Sequence, residues 1–135
     1  MNVLVTDTGF SAPTGPEEIT PFADRARHQG ALDLANTDNP AALADILGDL
    51  TLIRVAFPSF SDGRGFTIAH RLRQMGYRGR LRAQGHVLAD QYAMARRVGF
   101  DEVEISADLA ARQPADQWKN RADWQAHDYQ SRLRA

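Results

Sequence analysis

Apolar and polar residues alternate with a period of two in three short stretches of the chain. Over 51–57, Ile53, Val55 and Phe57 alternate with Leu52, Arg54 and Ala56, and Pro58 closes the run. Over 80–84, Leu81 and Ala83 alternate with Arg80, Arg82 and Gln84; over 102–105, Val103 and Ile105 alternate with Glu102 and Glu104. Successive side chains on a strand point to opposite faces, so each run predicts a strand with one apolar and one polar side. Between the runs the spacing becomes helical. Ile68, Leu72 and Met75 share a stripe over 66–75, ended by Gly76. Val87, Met94 and Val98 share a core stripe over 87–98, ended by Gly99.

The order is strand–helix–strand–helix–strand with short connections. Such units give parallel strands and right-handed crossovers, which places both helices on one face. The predicted fold is a single α/β domain. A sheet buried on both faces would be apolar on both. Here the side away from the helices gathers Arg54, Arg82, Gln84, Glu102 and Glu104. That predicts a half-barrel-like sheet whose polar side is open, covered by the N-terminal arm, or closed by a second copy.

The flanks are less regular. Residues 1–37 read as a partly irregular N-terminal arm, broken by Gly9, Pro13, Gly15, Pro16 and Pro21, with a short strand at Val3, Leu4 and Val5. The α/β domain then occupies 38–135. Its first helix is predicted behind Asp38 and Asn39, which can cap, with Pro40 at the first helical position. Leu43, Ile46, Leu47 and Leu50 recur at helical spacing there, and Gly48 keeps the helix short. Ser106, Ala107 and Asp108 form a second capping sequence. A polar helical tail follows, restarted at Pro114 and anchored by Trp118 and Trp124.

Composition narrows the chemistry more than the fold. A chain of 135 residues with 43% hydrophobic and 24% charged content suits one domain with a real core. There is no cysteine, which excludes disulfides, thiolate nucleophiles and Cys-ligated zinc or iron–sulfur clusters. His28, His70, His86 and His127 are scattered without helical ligand spacing, so neither a metal nor a resident cofactor is expected. No apolar run reaches the ~18 residues needed to span a bilayer. Residues 1–5 lack the basic start and long apolar run of a leader, so the expected location is the cytoplasm.

The net charge of −1 hides an uneven distribution. Residues 1–63 carry −6, residues 64–97 carry +7, and residues 98–135 carry −2. The middle block has eight arginines, no lysine, and one acid, Asp90. The guanidinium fork suits bidentate contact with carboxylate, phosphate or sulfur oxyanions. The plainer reading is a solvated face, paired to the acidic flanks.

Ligands of parallel α/β sheets bind at the carboxyl ends of the strands. Two segments are predicted to meet there. In the first, Asp62, Gly63, Arg64 and Gly65 open a helix; glycine lets backbone N–H groups approach a ligand, and Arg64 adds positive charge beside a positive helix end. A tight turn capped by Asp62 explains the same residues. In the second, Gly85 leads to His86, Asp90 and Gln91. Asp90 and Gln91 are expected to hold the neighbouring loop by its backbone or to orient Arg82 or Arg64. Asp90 paired with an arginine is the contact to look for. His86 at a helix start is expected to be neutral. No Ser/His/Asp arrangement and no carboxylate pair with convincing spacing accompanies it.

At these segments the chain resembles a known family. The residues are 54–66 (RVAFPSFSDGRGF), 69–73 (AHRLR), 76–83 (GYRGRLRA), 85–91 (GHVLADQ) and 97–102 (RVGFDE). Their order and spacing resemble the bacterial domain-of-unknown-function family 934 across roughly 50–106. The resemblance implies a link to sulfate assimilation, since members are typically encoded beside sulfite reductase and described as oxidoreductases of sulfite reduction. Members often carry Asp at the position of His86 and Cys at that of Val98, which argues against shared thiol chemistry. Asp62, Gly63, Arg64, Gly65, Arg82, Gly85, Asp90 and Gln91 match the pattern, without an assigned role.

The expected function is thus an accessory role in assimilatory sulfite reduction. Its arginine-rich block would dock sulfite reductase or its electron carrier, or hold a sulfur oxyanion. The alternative is a small barrel-related enzyme acting on an anionic small molecule, with Asp62, Arg64, Arg82 and Asp90 in its pocket. An enzyme requires a concave pocket at the strand ends; a docking protein requires only a flat basic surface. Nucleic-acid binding fits the local basic block but not the overall charge. A homodimer is the expected way to cover an open sheet edge.

Overall fold

The computed structural model describes residues 2–15 and 18–124. Among them, seven strands form one sheet: β1 (Asn2–Thr6), β2 (Gly9–Ser11), β3 (Thr20–Pro21), β4 (Ala31–Leu34), β5 (Leu52–Phe57), β6 (Arg80–Gly85) and β7 (Glu102–Ser106). Four α-helices accompany it among the described residues: α1 (Arg64–Gln74), α2 (Tyr92–Val98), α3 (Ala107–Arg112) and α4 (Ala115–Lys119). The spatial order is β2-β1-β7-β6-β5-β4-β3. Strands β3 to β7 are parallel, while β1 runs antiparallel to β7 and β2 antiparallel to β1.

The alternation read from the sequence sets the register. Leu32, Ile53 and Leu81 lie side by side on β4, β5 and β6, and Val55, Ala83 and Val103 on β5, β6 and β7. These residues share one buried cluster with Ile68 and Leu72 of α1, Tyr92 and Ala95 of α2, Ala110 of α3 and Trp118 of α4. All four helices therefore cover the same face of the sheet. The ring of Trp118 meets that of Tyr92 edge-on at 6.0 Å, and its indole N–H donates to the Gln113 carbonyl at 2.9 Å. This anchors the start of the tail as expected. Trp124 lies under the Arg96 guanidinium at 5.0 Å. The rest of the expected helical tail, 125–135, lies outside the described residues, and His127 with it.

The structure departs from the sequence expectation in four places. The N-terminal stretch read as an arm supplies β1 to β4, and so belongs to the sheet itself. The alternation of Leu32 and Leu34 with Ala31 and Asp33 spans only four residues, a weak signal in a turn-rich stretch. The helix expected after Asn39 is two 3₁₀ turns, Pro40–Leu43 and Leu47–Asp49. Asn39 does cap, accepting the Ala41 N–H at 3.0 Å. Between the turns Ile46 leaves helical geometry, with φ −117° and ψ 0°, and Gly48 favours no continuation.

The third departure concerns α2, which starts at Tyr92 instead of Val87. A 3₁₀ turn, Ala89–Gln91, precedes it. The phase of the helix is therefore set from Tyr92, burying Tyr92 and Ala95 while Met94 is 51% exposed. The fourth is Arg82, which lies buried in the middle of the polar face and not at the strand ends.

The centre of that polar face is covered within the chain. Asp33, Arg54, Arg82 and Glu102 stand in one cross-strand row on β4 to β7. Arg54 grips Asp33 through two N–H donors at 2.7 and 2.8 Å and reaches Glu104 at 3.1 Å. Arg82 donates to Glu102 at 2.6 Å and to Glu104 at 3.0 Å. Arg80 adds two donors to Glu102, at 3.0 and 2.8 Å. From β1, Asn2 donates to Glu104 at 2.6 Å. Burial alone would raise the Glu104 carboxyl, but the Asn2 hydrogen bond and the Arg54 and Arg82 charges hold it below its ordinary value.

The N-terminal segment lies over this row as a strap. The Thr14 carbonyl accepts from both Arg80 and Arg82. Gly15 approaches so closely that a Cβ there would lie 2.9 Å from Arg80 Nη1, and its φ of +120° suits only glycine. Arg82 is 2% exposed as a result. Buried under the strap and bonded to Glu102, Glu104 and Thr14, this side chain is not available for anion binding or docking. Of the three expected ways to handle the polar side, the chain uses its own N-terminal segment.

Candidate functional site

At the carboxyl ends of the parallel strands, the loops after β4, β5 and β6 and the end of α3 meet and are laced by side chains. Asn36, after β4, donates to Asp62, after β5. Gln91, after β6, donates to the Phe60 carbonyl at 3.0 Å and accepts the Leu88 N–H at 2.8 Å. Gln113, after α3, accepts the Ala89 N–H at 2.7 Å. The expectation that the 85–91 segment holds the neighbouring loop by its backbone therefore describes Gln91. Asp90 does pair with an arginine, but it is Arg121 of the tail, at 2.8 Å on the surface, and not Arg82 or Arg64.

The four residues from Asp62 to Gly65 have separate tasks. Asp62 accepts the Arg64 backbone N–H at 3.0 Å and its guanidinium at 2.7 Å. The Arg64 side-chain hydrogen bond, aided by its backbone N–H, holds the Asp62 carboxyl down at about 2. Arg64 is thereby neutralised locally, and its own pKa is raised by Asp62. Gly63 is exposed at the start of α1. Gly65 is buried, and a Cβ there would lie 2.5 Å from the Phe57 ring, so this glycine serves helix-to-strand packing. The geometry is that of a tight turn, but the cap position is held by Gly63 and not by Asp62, which lies one residue before it and accepts the Arg64 N–H.

Gly85 has φ +120°, and a Cβ there would lie 2.6 Å from the Phe57 carbonyl oxygen. It lets His86 continue the ladder, donating its N–H to that oxygen at 2.8 Å. The exposed His86 ring meets the Phe60 ring edge-on, with centroids 5.0 Å apart. Beside this pair opens a cleft of about 370 Å³. Gln84, Gly85, His86 and Phe60 line one side of it; Asn2 of β1, Ser106, Asp108, Leu109 and Arg112 line the other. Ser106 caps α3, accepting the Leu109 N–H at 3.2 Å. No ion pair joins Arg112 to Asp108 or to any other acid among the described residues. The cleft therefore offers a guanidinium without an acid partner among the described residues, an imidazole edge, and the Gln84 amide, with the Asn2 amide held by Glu104.

Of the residues singled out in the sequence, the structure brings His86 into this cleft and places Gln91 and Asp62 behind its loops. Arg82 is elsewhere, under the strap. Arg112, Asn2 and Ser106 escaped sequence reasoning, because they reach the cleft only through the antiparallel docking of β1 on β7 and the turn into α3. Gln84 carried a signal, as the last polar position on β6 before the strand end.

A larger hollow, about 650 Å³, lies at the opposite, amino-terminal edge and includes Arg73, Arg78, Arg80, Arg96 and Trp124. Three of its arginines are committed. Arg73 donates to the carbonyls of Tyr77, Gly79 and Gly99 at 2.8–3.0 Å and to Asp101 at 2.9 Å. Arg80 binds Glu102, and Arg96 binds Asp7 and the Phe100 carbonyl. Size alone is thus a poor guide here. Arg78 makes no ion pair among the described residues, but the other arginines of this edge hold loops together, whereas the one arginine of the strand-end cleft is not engaged by the described fold.

The family model for bacterial protein of unknown function, DUF934, matches residues 31–135. The chain belongs to that family. The match begins at β4, so the strap and β1 to β3 lie outside it. No curated protein and no solved structure matches the chain. Among the described residues, no helix is long and apolar enough to cross a membrane.

Proposed function

We propose that this DUF934 protein binds a small anionic molecule in the strand-end cleft, as an accessory of assimilatory sulfite reduction in the cytoplasm. The observation that carries the binding site is Arg112, without an acid partner among the described residues, in a concave cleft with His86, Gln84 and Asn2. A guanidinium presents two parallel N–H donors to an oxyanion, and the Gln84 amide supplies a further donor. A sulfur oxyanion is the ligand class that joins this chemistry to the sulfite-reduction link, which rests on the resemblance over residues 50–106. Ser106, the one hydroxyl lining the cleft among the described residues, serves as a helix cap. This favours an accessory role over catalysis.

Docking of sulfite reductase or its electron carrier is the second reading. It draws on Arg71, Arg78 and Arg97, exposed residues of the arginine-rich block that make no ion pair among the described residues. It has less support than the cleft, because Arg64, Arg73, Arg80, Arg82 and Arg96 are all engaged within the fold.

Calorimetric titration with sulfite and sulfate tests the proposal. Saturable binding is expected, weakened about 10-fold or more in Arg112→Ala, in keeping with loss of a charge-assisted hydrogen-bond pair. Absence of saturable binding, or equal binding by the variant, would overturn it. Salt-sensitive co-elution with sulfite reductase, lost in Arg71→Ala/Arg97→Ala, would favour docking instead.

A further inference from the structure

A second cleft, about 360 Å³, adjoins the first at the same end of the sheet. It is lined chiefly by apolar groups: Pro21, Phe22, Leu34, Ala35 and Ala56. Gln84 lines both clefts. The register explains why. Ala56, Gln84 and Glu104 stand side by side on β5, β6 and β7, so Gln84 is the divider between a hollow toward β4 and a hollow toward β1. The neighbouring amides of Gln91, Gln113, Asn36 and Asn2 are all bonded within the fold. The Gln84 side chain has no such bond among the described residues, and the residue lines both clefts.

We infer that the two clefts form one bipartite site, and that its ligand is an organic oxyanion carrying an apolar body. This inference rests on the anion-binding reading above and specifies its substrate class. Charge fixes the orientation. The apolar cleft is lined by two carboxylates, Asp33 and Asp38, and by no arginine, whereas the first cleft sets Arg112 and His86 beside a single carboxylate, Asp108, so the anion is favoured in the first. The anionic head belongs with Arg112 and His86, the body lies over Ala56 toward Phe22, and the Gln84 amide bonds a polar atom at the junction. A free inorganic oxyanion would leave the apolar cleft unused.

The test compares sulfite with naphthalene-2-sulfonate by calorimetry, on the full chain. The aromatic sulfonate is expected to bind roughly 10-fold or more tightly than sulfite, because it buries apolar surface that sulfite lacks. Ala56→Leu, which fills the apolar cleft, is expected to remove that advantage while leaving sulfite binding within about 2-fold, since the charged contacts are untouched. Ala35→Trp fills the same cleft from a surface loop and repeats the test if Ala56→Leu fails to fold. Arg112→Ala is expected to weaken both ligands. Equal affinity for the two anions in the unmodified protein, or an advantage that survives both filling variants, would overturn the bipartite site and leave the anion site standing. Tight binding of the aromatic sulfonate that ignores Arg112→Ala would overturn both, as would failure of both anions to bind.

Discussion

On the helix-covered face of the sheet, Ile53, Val55, Leu81, Ala83 and Val103 meet apolar side chains of α1, α2, α3 and α4. On the other face, the same strands present Arg54, Arg80, Arg82, Glu102 and Glu104, joined in a chain of ion pairs beneath Thr14. Both faces are covered, but by different physics. Apolar packing is non-directional, so each residue contributes in proportion to the surface it covers. The ion-pair row is directional, and each member is stable there only because its neighbours are present. The first face tolerates change in small steps, whereas the second depends on completeness. The strap makes this dependence sharpest at Arg82, which lies 2% exposed beneath it, where little water can screen a broken pair.

The largest expected effect comes from breaking the row at its centre. Arg82→Ala leaves Glu102 and Glu104 buried without their shared partner, and urea denaturation is expected to show a loss of about 3–5 kcal/mol. A loss below about 1 kcal/mol would mean that the row is solvated and the strap open. On the apolar face, Leu81→Ala removes a fully buried side chain and should cost about 3 kcal/mol, measured the same way. A cost well above that of Arg82→Ala would reverse the comparison.

The smallest effect sharpens the contrast through pH. Glu104 has a lowered folded pKa, its hydrogen bonds and arginine neighbours outweighing burial. Its contribution is therefore fully present above its ordinary value of 4.5 and lost as pH falls through the lower folded value. Melting temperatures should fall as the pH is lowered below about 4.5, and Glu104→Gln should flatten that part of the profile. An unchanged profile in the variant would show that Glu104 does not carry the acid sensitivity.

The segments legible in the sequence were those with sustained periodicity. The alternation in 51–57, 80–84 and 102–105 announced β5, β6 and β7, and the stripe through Ile68 and Leu72, ended by Gly76, announced α1. Short or displaced elements were less legible. The four residues of β4 are too few to stand out among turns, and α2 lost its first turn to a 3₁₀ segment in which Gln91 bonds the Phe60 carbonyl. Of the candidate site, His86 and Gln84 could be placed at a strand end from the chain alone. Arg112 could not, since nothing near it in sequence announces a cleft.

The sequence by itself determined that each central strand has one apolar and one more polar side, because strand geometry converts alternation into two faces without reference to any other part of the chain. It also determined the absence of thiol chemistry, since there is no cysteine. Only the tertiary structure decided which arginines remain available. Arg82 and Arg112 are the same residue type with the same charge. Yet one lies under Thr14 between two glutamates, and the other lines an open cleft with no acid partner among the described residues. That difference comes from contacts between residues far apart in the chain, which no local pattern encodes.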